Sequence, residues 1–174
     1  MLLNNVTVDE EGQKHLIGEG KTKGLILDNL FGMFCFFIKS NIFDFVSNIL
    51  SNITALKDGR DLLLQKDSPA MIFPKIIDML RWQKVNGHRR QHLLECLRNL
   101  AFEYESQESL FSESNLIKEV AHMLAQEQGL SILPESVNEY QVPLNKEDDQ
   151  ICQANTKSIL DTFVLLANSE KLLK

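Results

Sequence analysis

Three asparagines stand at a fixed interval along the chain. Asn5, Asn52 and Asn99 are 47 residues apart. A small residue follows each of them seven positions later, in turn Gly12, Gly59 and Ser106. A carboxamide both donates and accepts hydrogen bonds, so a regular series of carboxamides is suited to bind the backbone of an extended peptide. The alternative is that each amide ties a loop or a neighbouring helix within the protein.

Two further polar side chains accompany the second and third asparagines. Asn48 and Asn52 are four residues apart, and Glu95 and Asn99 repeat that spacing one period later. Residues four apart share one face of a helix. Each pair therefore predicts a short hydrogen-bonding surface on its own helix.

His88, His92 and Cys96 also follow one another at intervals of four, which would place them on one helix face. Imidazole and thiolate groups are ligands for zinc, and a structural zinc site takes four of them. No fourth ligand stands near these three residues in the sequence. Packing or a surface position is the alternative that we favour, and we predict no metal and no cofactor.

A small basic cluster, Lys84 with His88, Arg89 and Arg90, stands at the start of the same segment. Such a cluster could hold an acidic segment of a partner, or a phosphate at a helix start. A solvated helix start is the alternative. Taken together, these patterns predict a partner-binding concave face. Its members are Asn48, Asn52, His88, Arg89, Arg90, His92, Glu95 and Asn99.

Catalytic motifs are absent from the sequence. It has no phosphate-binding glycine-rich loop, no His-Glu-x-x-His and no Gly-x-Ser-x-Gly. Neighbouring carboxylates such as Glu103 and Glu105 are interpreted as solvated charges. We therefore expect a non-enzymatic binding protein.

The elements that position these residues follow from the 47-residue period, which is typical of stacked helical repeats. In the second unit, Thr22–Ile38 is predicted to be a deeply buried helix because it is apolar on several faces. A second helix is predicted over 43–53, and a short third one after Asp58, the expected N-cap. Three helices per unit favour the armadillo arrangement. The predicted fold is all-α, an armadillo/HEAT-like right-handed superhelix.

The third unit follows the same plan, with Pro74 in the first turn of a helix that reaches Trp82. The next helices are predicted at His88–Tyr104, Ser106–Phe111 and Asn115–Gln126. The long helix has an apolar inner stripe, formed by Leu93, Leu94, Leu97, Leu100 and Ala101.

The period then fails over 129–149, which we interpret as an insertion loop, and a last helix over Thr156–Leu173 carries Asn168 as a candidate fourth copy. The predicted units are 1–19, 20–66, 67–112 and 113–174. Neither end resembles a polar capping repeat. We therefore expect one solenoid that is a fragment of a longer protein or that covers its ends by self-association.

Composition narrows the class of protein. The chain has 174 residues, is 44% hydrophobic and 24% charged, and carries a net charge of −6. Acidic chains lack the basic footprint that nucleic acids require. The apolar run Leu25–Ile38 is too short to cross a bilayer, and no secretory signal is present. Three cysteines without motif spacing indicate free thiols. We expect a cytoplasmic protein, with the nucleus as an additional location.

Several of these segments resemble the Hgh-one family of eukaryotic armadillo-like proteins. The segment Leu50–Thr54 leading to Gly59–Leu63 resembles one signature of that family. Arg89-Arg90 followed by Leu97–Asn99 and Phe102-Glu103 resembles a second. The chain departs from the family at Ala101, where a cysteine is common.

The resemblance implies a chaperone adaptor. Members of that family are similar to cytosolic adaptors that help translation elongation factor two to fold, linking it to the chaperonin and to the ninety-kilodalton heat-shock chaperone. The residues alone leave a second possibility open, a generic armadillo scaffold for an unrelated peptide or protein.

Overall fold

A computed structural model of the chain describes residues 2–37, 41–65, 71–81, 87–104, 108–113, 115–127 and 149–167. All regular structure within these ranges is helical. The α-helices are α1 (Leu2–Val6), α2 (Glu10–Ile17), α3 (Leu25–Phe36), α4 (Phe45–Ile53), α5 (Lys57–Leu63), α6 (Ile72–Arg81), α7 (Gly87–Leu100), α8 (Glu108–Glu113), α9 (Leu116–Glu127) and α10 (Asp149–Ala167). Short 3₁₀ turns cover Gly20–Thr22, Asn41–Phe43 and Ala101–Glu103.

The helix boundaries repeat with the period of the sequence. Helices α1, α4 and α7 end at Val6, Ile53 and Leu100, which are 47 residues apart. The starts of α2 and α5, and those of α3 and α6, are separated by the same interval. The recurrence of asparagines therefore reflects a recurrence of helices.

One helix of each unit packs against its counterpart in the next. We call α1, α4, α7 and α10 the row helices, because α1 contacts α4, α4 contacts α7 and α7 contacts α10. Helix α10 also packs against α9, and α6 packs against both α7 and α9. A continuous hydrophobic core extends from Leu16 in α2 to Leu166 in α10. Burial of this apolar surface is the main force that holds the units together.

The turn after each of the first two row helices is stabilised by a side chain at an equivalent position. Gln13 Nε2 donates to the carbonyl oxygen of Thr7 at 3.0 Å. One period later, Arg60 Nη1 donates to the carbonyl oxygens of Thr54 and Ala55, at 3.2 and 3.0 Å. The final carbonyl groups of a helix have no hydrogen-bond donor within the helix. The side chains of Gln13 and Arg60 provide these donors.

Two glycines allow the helix after this turn to approach the end of the row helix. A Cβ atom at Gly12 would lie 1.8 Å from the carbonyl oxygen of Val6, and one at Gly59 would lie 2.0 Å from that of Ile53. Both distances are far below van der Waals contact. Only glycine fits, which explains why it recurs seven residues after the asparagine.

The structure corrects two predictions about the second unit. Helix α3 is not deeply buried: Leu27, Leu30, Phe31 and Phe34 are buried, whereas the opposite face is exposed. Asp58 is not the N-cap of α5, because Leu56 takes that position and Asp58 lies within the first turn. The predicted packing of Leu62, Leu63 and Leu64 is confirmed.

In the third unit, the inner stripe of α7 is buried as predicted, from Leu93 to Ala101. Pro74 lies in the first turn of α6, also as predicted. The last helix begins at Asp149 rather than Thr156. Trp82, Ser106, Asn168 and the predicted insertion loop up to residue 148 lie outside the described residues. None of the described helices has both the length and the apolar character needed to cross a membrane.

Replacing Gly59 by alanine should test the close approach at the turn. We expect a loss of about 3 kcal/mol in the free energy of unfolding, because the new methyl group would push against backbone rather than against a movable side chain. The measurement is urea denaturation followed by circular dichroism.

Gly32→Ala is the matched control. Gly32 also lies within a helix, and no atom stands within 4 Å of the place that its new methyl group would take. This variant should gain about 0.5–1 kcal/mol from helix propensity. Equal effects of the two substitutions would contradict the proposed role of Gly59.

Candidate functional site

The second and third repeated asparagines both bond to the preceding row helix. Asn52 Nδ2 donates to Thr7 Oγ1 at 3.1 Å. Asn99 Nδ2 donates to Thr54 Oγ1 at 3.2 Å and to the carbonyl oxygen of Ser51 at 3.3 Å. The amide groups therefore join neighbouring units, which is the internal role considered as the alternative above. Both side chains are only partly buried, so each also borders the surface.

The accepting threonines are held in place by their own helices. Thr54 Oγ1 bonds to the carbonyl oxygens of Leu50 and Ser51, at 2.8 and 2.9 Å, and Thr7 Oγ1 bonds to that of Asn4 at 3.0 Å. Both threonines are fully buried. A hydroxyl that donates to its own helix keeps its lone pairs available to the incoming amide. The sequence signal for this role was a threonine two positions after the asparagine in each of the first two copies.

Near Asn52 and Asn99, the half-buried carboxylate of Glu95 contacts three side chains. Glu95 accepts hydrogen bonds from Ser51 Oγ at 3.0 Å and Gln91 Nε2 at 3.3 Å, and its Oε2 lies 3.0 Å from His92 Nδ1. The hydrogen bond with His92 is the largest influence on the carboxyl and lowers the pKa of Glu95 below its ordinary value. Ser51 and Gln91 were missed by the sequence reasoning because neither belongs to the repeated spacing.

The two arginines of the predicted face are buried inside the protein. Arg89 is 2% exposed; its guanidinium forms an ion pair with Asp44 and lies over the ring of Phe34, 4.9 Å from its centroid. Arg90 Nη1 donates to the carbonyl oxygen of Leu80 at 2.7 Å. Neither guanidinium is presented to a partner in this structure. The burial of Arg89 and Arg90 does not agree with the prediction that they lie at a solvated or partner-binding helix start.

The spacing of His88, His92 and Cys96 does not bring the three side chains into one site. Cys96 is fully buried, and burial raises the pKa of its thiol to about 12, whereas His88 is exposed and His92 bonds to Glu95. In the part of the chain that the structure describes, no group of three or more His, Cys, Asp or Glu residues could hold a metal ion.

What remains of the predicted surface is a polar strip on two adjacent row helices. Asn48 and Asn52 are its members on α4, and His88, His92, Glu95 and Asn99 are its members on α7. All six are exposed or half-buried. Arg98 adds a positive charge to the strip through its hydrogen bond to Asn99 Oδ1, at 3.3 Å. The strip combines donors and acceptors and has little net charge.

A double-mutant cycle on Asn99 and Thr54 should show a coupling of about 1 kcal/mol in the free energy of unfolding, since each single change removes the same hydrogen bond. The variants are Asn99→Ala, Thr54→Val and their combination, measured by urea denaturation. Asn29→Ala with Thr54→Val is the control, because Asn29 bonds to Leu25 within its own helix. Additive effects in the Asn99 cycle would contradict a shared bond.

Glu95 should make stability depend on pH in the acid range. Because its pKa is lowered in the folded state, its contribution is fully present above the unfolded-state pKa, about 4.3, and is lost as the pH falls through the folded-state pKa. The free energy of unfolding should therefore fall more steeply below about pH 4.3 in the wild type than in Glu95→Gln. Urea titrations between neutral and acid pH provide the measurement, with Glu11→Gln, at an exposed position, as the control. Parallel curves for the wild type and Glu95→Gln would disprove the role of the carboxylate.

Comparison with known proteins places the chain in a family. Residues 1–138 match the family described as "Domain of unknown function (DUF383)", a stretch that contains helices α1 to α9. No curated protein and no solved structure matches the chain. Because the matched residues make up more than half of the 174 in the sequence, the chain belongs to the DUF383 family.

Proposed function

We propose that the chain is a non-enzymatic protein-binding scaffold, built as an armadillo/HEAT-like right-handed superhelix of stacked helical repeats. The observation that carries this proposal is the repeated pairing of row helices. Asn52 with Thr7 and Asn99 with Thr54 repeat one bond at the sequence period. Stacked repeats present equivalent helices side by side and so form extended binding surfaces.

The polar strip on α4 and α7 is the proposed contact surface. Asn48, Asn52, His92 and Asn99 can donate or accept hydrogen bonds, and the strip spans two neighbouring helices. Hydrogen-bonding groups with little net charge suit the main chain of a protein partner better than a phosphate or a strongly charged surface. Arg89 and Arg90 are not part of this proposed surface, because they bind Asp44 and the carbonyl oxygen of Leu80 within the protein.

The surroundings of the two candidate reactive groups, the Glu95 carboxylate and the Cys96 thiol, favour a binding role over a catalytic one. The carboxylate of Glu95 is already bonded to three side chains. The thiol of Cys96 is buried, and a pKa of about 12 keeps it protonated at neutral pH. A nucleophile or general base needs a reactive form and access to the substrate.

The proposed client is translation elongation factor two, and the proposed role is that of an adaptor between this client and the chaperonin and ninety-kilodalton heat-shock chaperone. This identification rests on the resemblance of Leu50–Leu63 and of Arg89–Glu103 to the Hgh-one family. A cytoplasmic location follows from the same resemblance. The alternative is a scaffold of the same architecture for an unrelated protein.

Binding of purified elongation factor two to the chain tests the proposal. The double variant Asn48→Ala with His88→Ala should bind at least about tenfold more weakly, because interface contacts of this kind contribute on the order of 1 kcal/mol each. Both residues border the surface, and unchanged circular dichroism and melting would show that folding is intact. Isothermal titration calorimetry gives the dissociation constants.

The matched control is Asn29→Ala, which removes an exposed amide from α3 rather than from a row helix. It should leave the affinity unchanged. Equal affinities for the wild type and the double variant would exclude the strip as the contact surface. Absence of any binding to elongation factor two, with capture of another protein through the same strip, would favour the alternative scaffold.

A further inference from the structure

The hydrogen bond between His92 and Glu95 fixes which ring nitrogen of His92 carries the proton. His92 Nδ1 lies 3.0 Å from Glu95 Oε2. This hydrogen bond is the main cause that lowers the pKa of Glu95, so the carboxyl group is ionised at neutral pH. An ionised carboxylate can only accept hydrogen bonds. The proton between the two groups must therefore belong to His92 Nδ1.

Two further donors hold the carboxylate of Glu95 in this position. Ser51 Oγ donates to Oε2 at 3.0 Å, and Gln91 Nε2 donates to Oε1 at 3.3 Å. Ser51 belongs to α4 and Gln91 to α7, so both row helices contribute. The tautomer of a histidine is set by the hydrogen bond that one of its ring nitrogens makes. Glu95 therefore determines both the orientation and the tautomer of His92.

The other ring nitrogen of His92, Nε2, is an acceptor that is open to solvent. In a neutral imidazole one nitrogen donates and the other accepts. Within the described part of the chain, no residue forms a hydrogen bond with Nε2. The buried side-chain atoms that lack a partner there are Asn4 Oδ1 and Asn155 Oδ1, so Nε2 is not sealed from water. The side chain of His92 is 25% exposed.

Asn48 lies beside this acceptor on the neighbouring row helix. The hydrogen bonds between α4 and α7 advance together along both helices, so the two helices run in the same direction. Ser51 bonds to Glu95; Asn48 stands three residues before Ser51, and His92 stands three residues before Glu95. One turn back along both helices therefore brings Asn48 next to His92. Asn48 is half-buried, and no described residue forms a hydrogen bond with its carboxamide.

We propose that His92 and Asn48 bind the main chain of an extended segment of the partner, with Glu95 as the positioning residue. A main-chain N–H group of the partner donates to His92 Nε2, and Asn48 Nδ2 donates to a neighbouring main-chain carbonyl oxygen. A carboxylate opposite Nε2 is disfavoured, because both groups would be acceptors. This inference rests on the proposed function, since it names the partner groups that the polar strip binds.

Long-range ¹H–¹⁵N NMR of the full, ¹⁵N-labelled chain tests the positioning by Glu95. At about pH 8, above the ordinary histidine pKa of about 6.5, His92 should carry its proton on Nδ1. His88 is exposed and serves as the internal reference; it should carry the proton on Nε2, the form that an unconstrained histidine prefers. Glu95→Ala should convert His92 to that form. Ser51→Ala is the matched control, because it removes a different hydrogen bond to the same carboxylate and should leave the tautomer unchanged.

Two substitutions of His92 separate the roles of its ring nitrogens in binding. The side chain of His92→Gln reaches about as far as Nε2 and can still accept a hydrogen bond there. The side chain of His92→Asn reaches only about as far as Nδ1 and keeps the contact with Glu95 alone. In isothermal titration calorimetry with elongation factor two, His92→Asn should bind about tenfold more weakly than His92→Gln, because a partner N–H would be left unpaired. Circular dichroism should show that both variants fold like the wild type.

Three outcomes would overturn the proposal. They are a wild-type His92 that is protonated on Nε2, a tautomer that Glu95→Ala does not change, and equal affinities of the two His92 variants for elongation factor two. A wild type that does not bind elongation factor two, while His92 carries its proton on Nδ1 as expected, would reject the proposed client and would still support the acceptor that Glu95 positions.

Discussion

The arrangement of the units depends on the close contact between a row helix and the helix that follows it. At Gly12 and Gly59 the backbone of the second helix lies against the last carbonyl of the first, where no side chain fits. This contact brings the two helices close together in both units. In both units the asparagine of the next row helix reaches the threonine just beyond the end of the preceding row helix.

Buried charges join the same units at other points. Arg60 Nε donates to Glu103 Oε1 at 2.8 Å, and Arg89 pairs with Asp44, so each pair connects residues more than 40 positions apart. Removing one member of a buried pair leaves the other charge without compensation, which is more costly than loss of an exposed pair. Arg89, which belonged to the predicted basic cluster, thus connects α7 to the residue that precedes α4.

Features that depend on periodicity could be predicted from the sequence. Features that depend on contact with a residue distant in the sequence could not. The end of α4, the inner stripe of α7 and the recurrence of glycine follow from local spacing. The burial of Arg89 does not, because it depends on Asp44, 45 residues earlier. The exposed side of α3 was missed for a similar reason: an all-round apolar helix indicates burial only if every side has a neighbour. For the polar strip, spacing identified Asn52 and Asn99 but not the threonines that orient them.

The third unit lacks the hydroxyl that the first two provide. The position of Thr7 and Thr54 is taken by Ala101, whose side chain has no group to accept an amide from α10. The contacts between α1 and α4 and between α4 and α7 therefore each contain a directional bond that the contact between α7 and α10 cannot form at this position. Apolar packing is non-directional. The last row contact therefore relies on the fit of many side chains at a place where each of the two earlier contacts adds one directed bond.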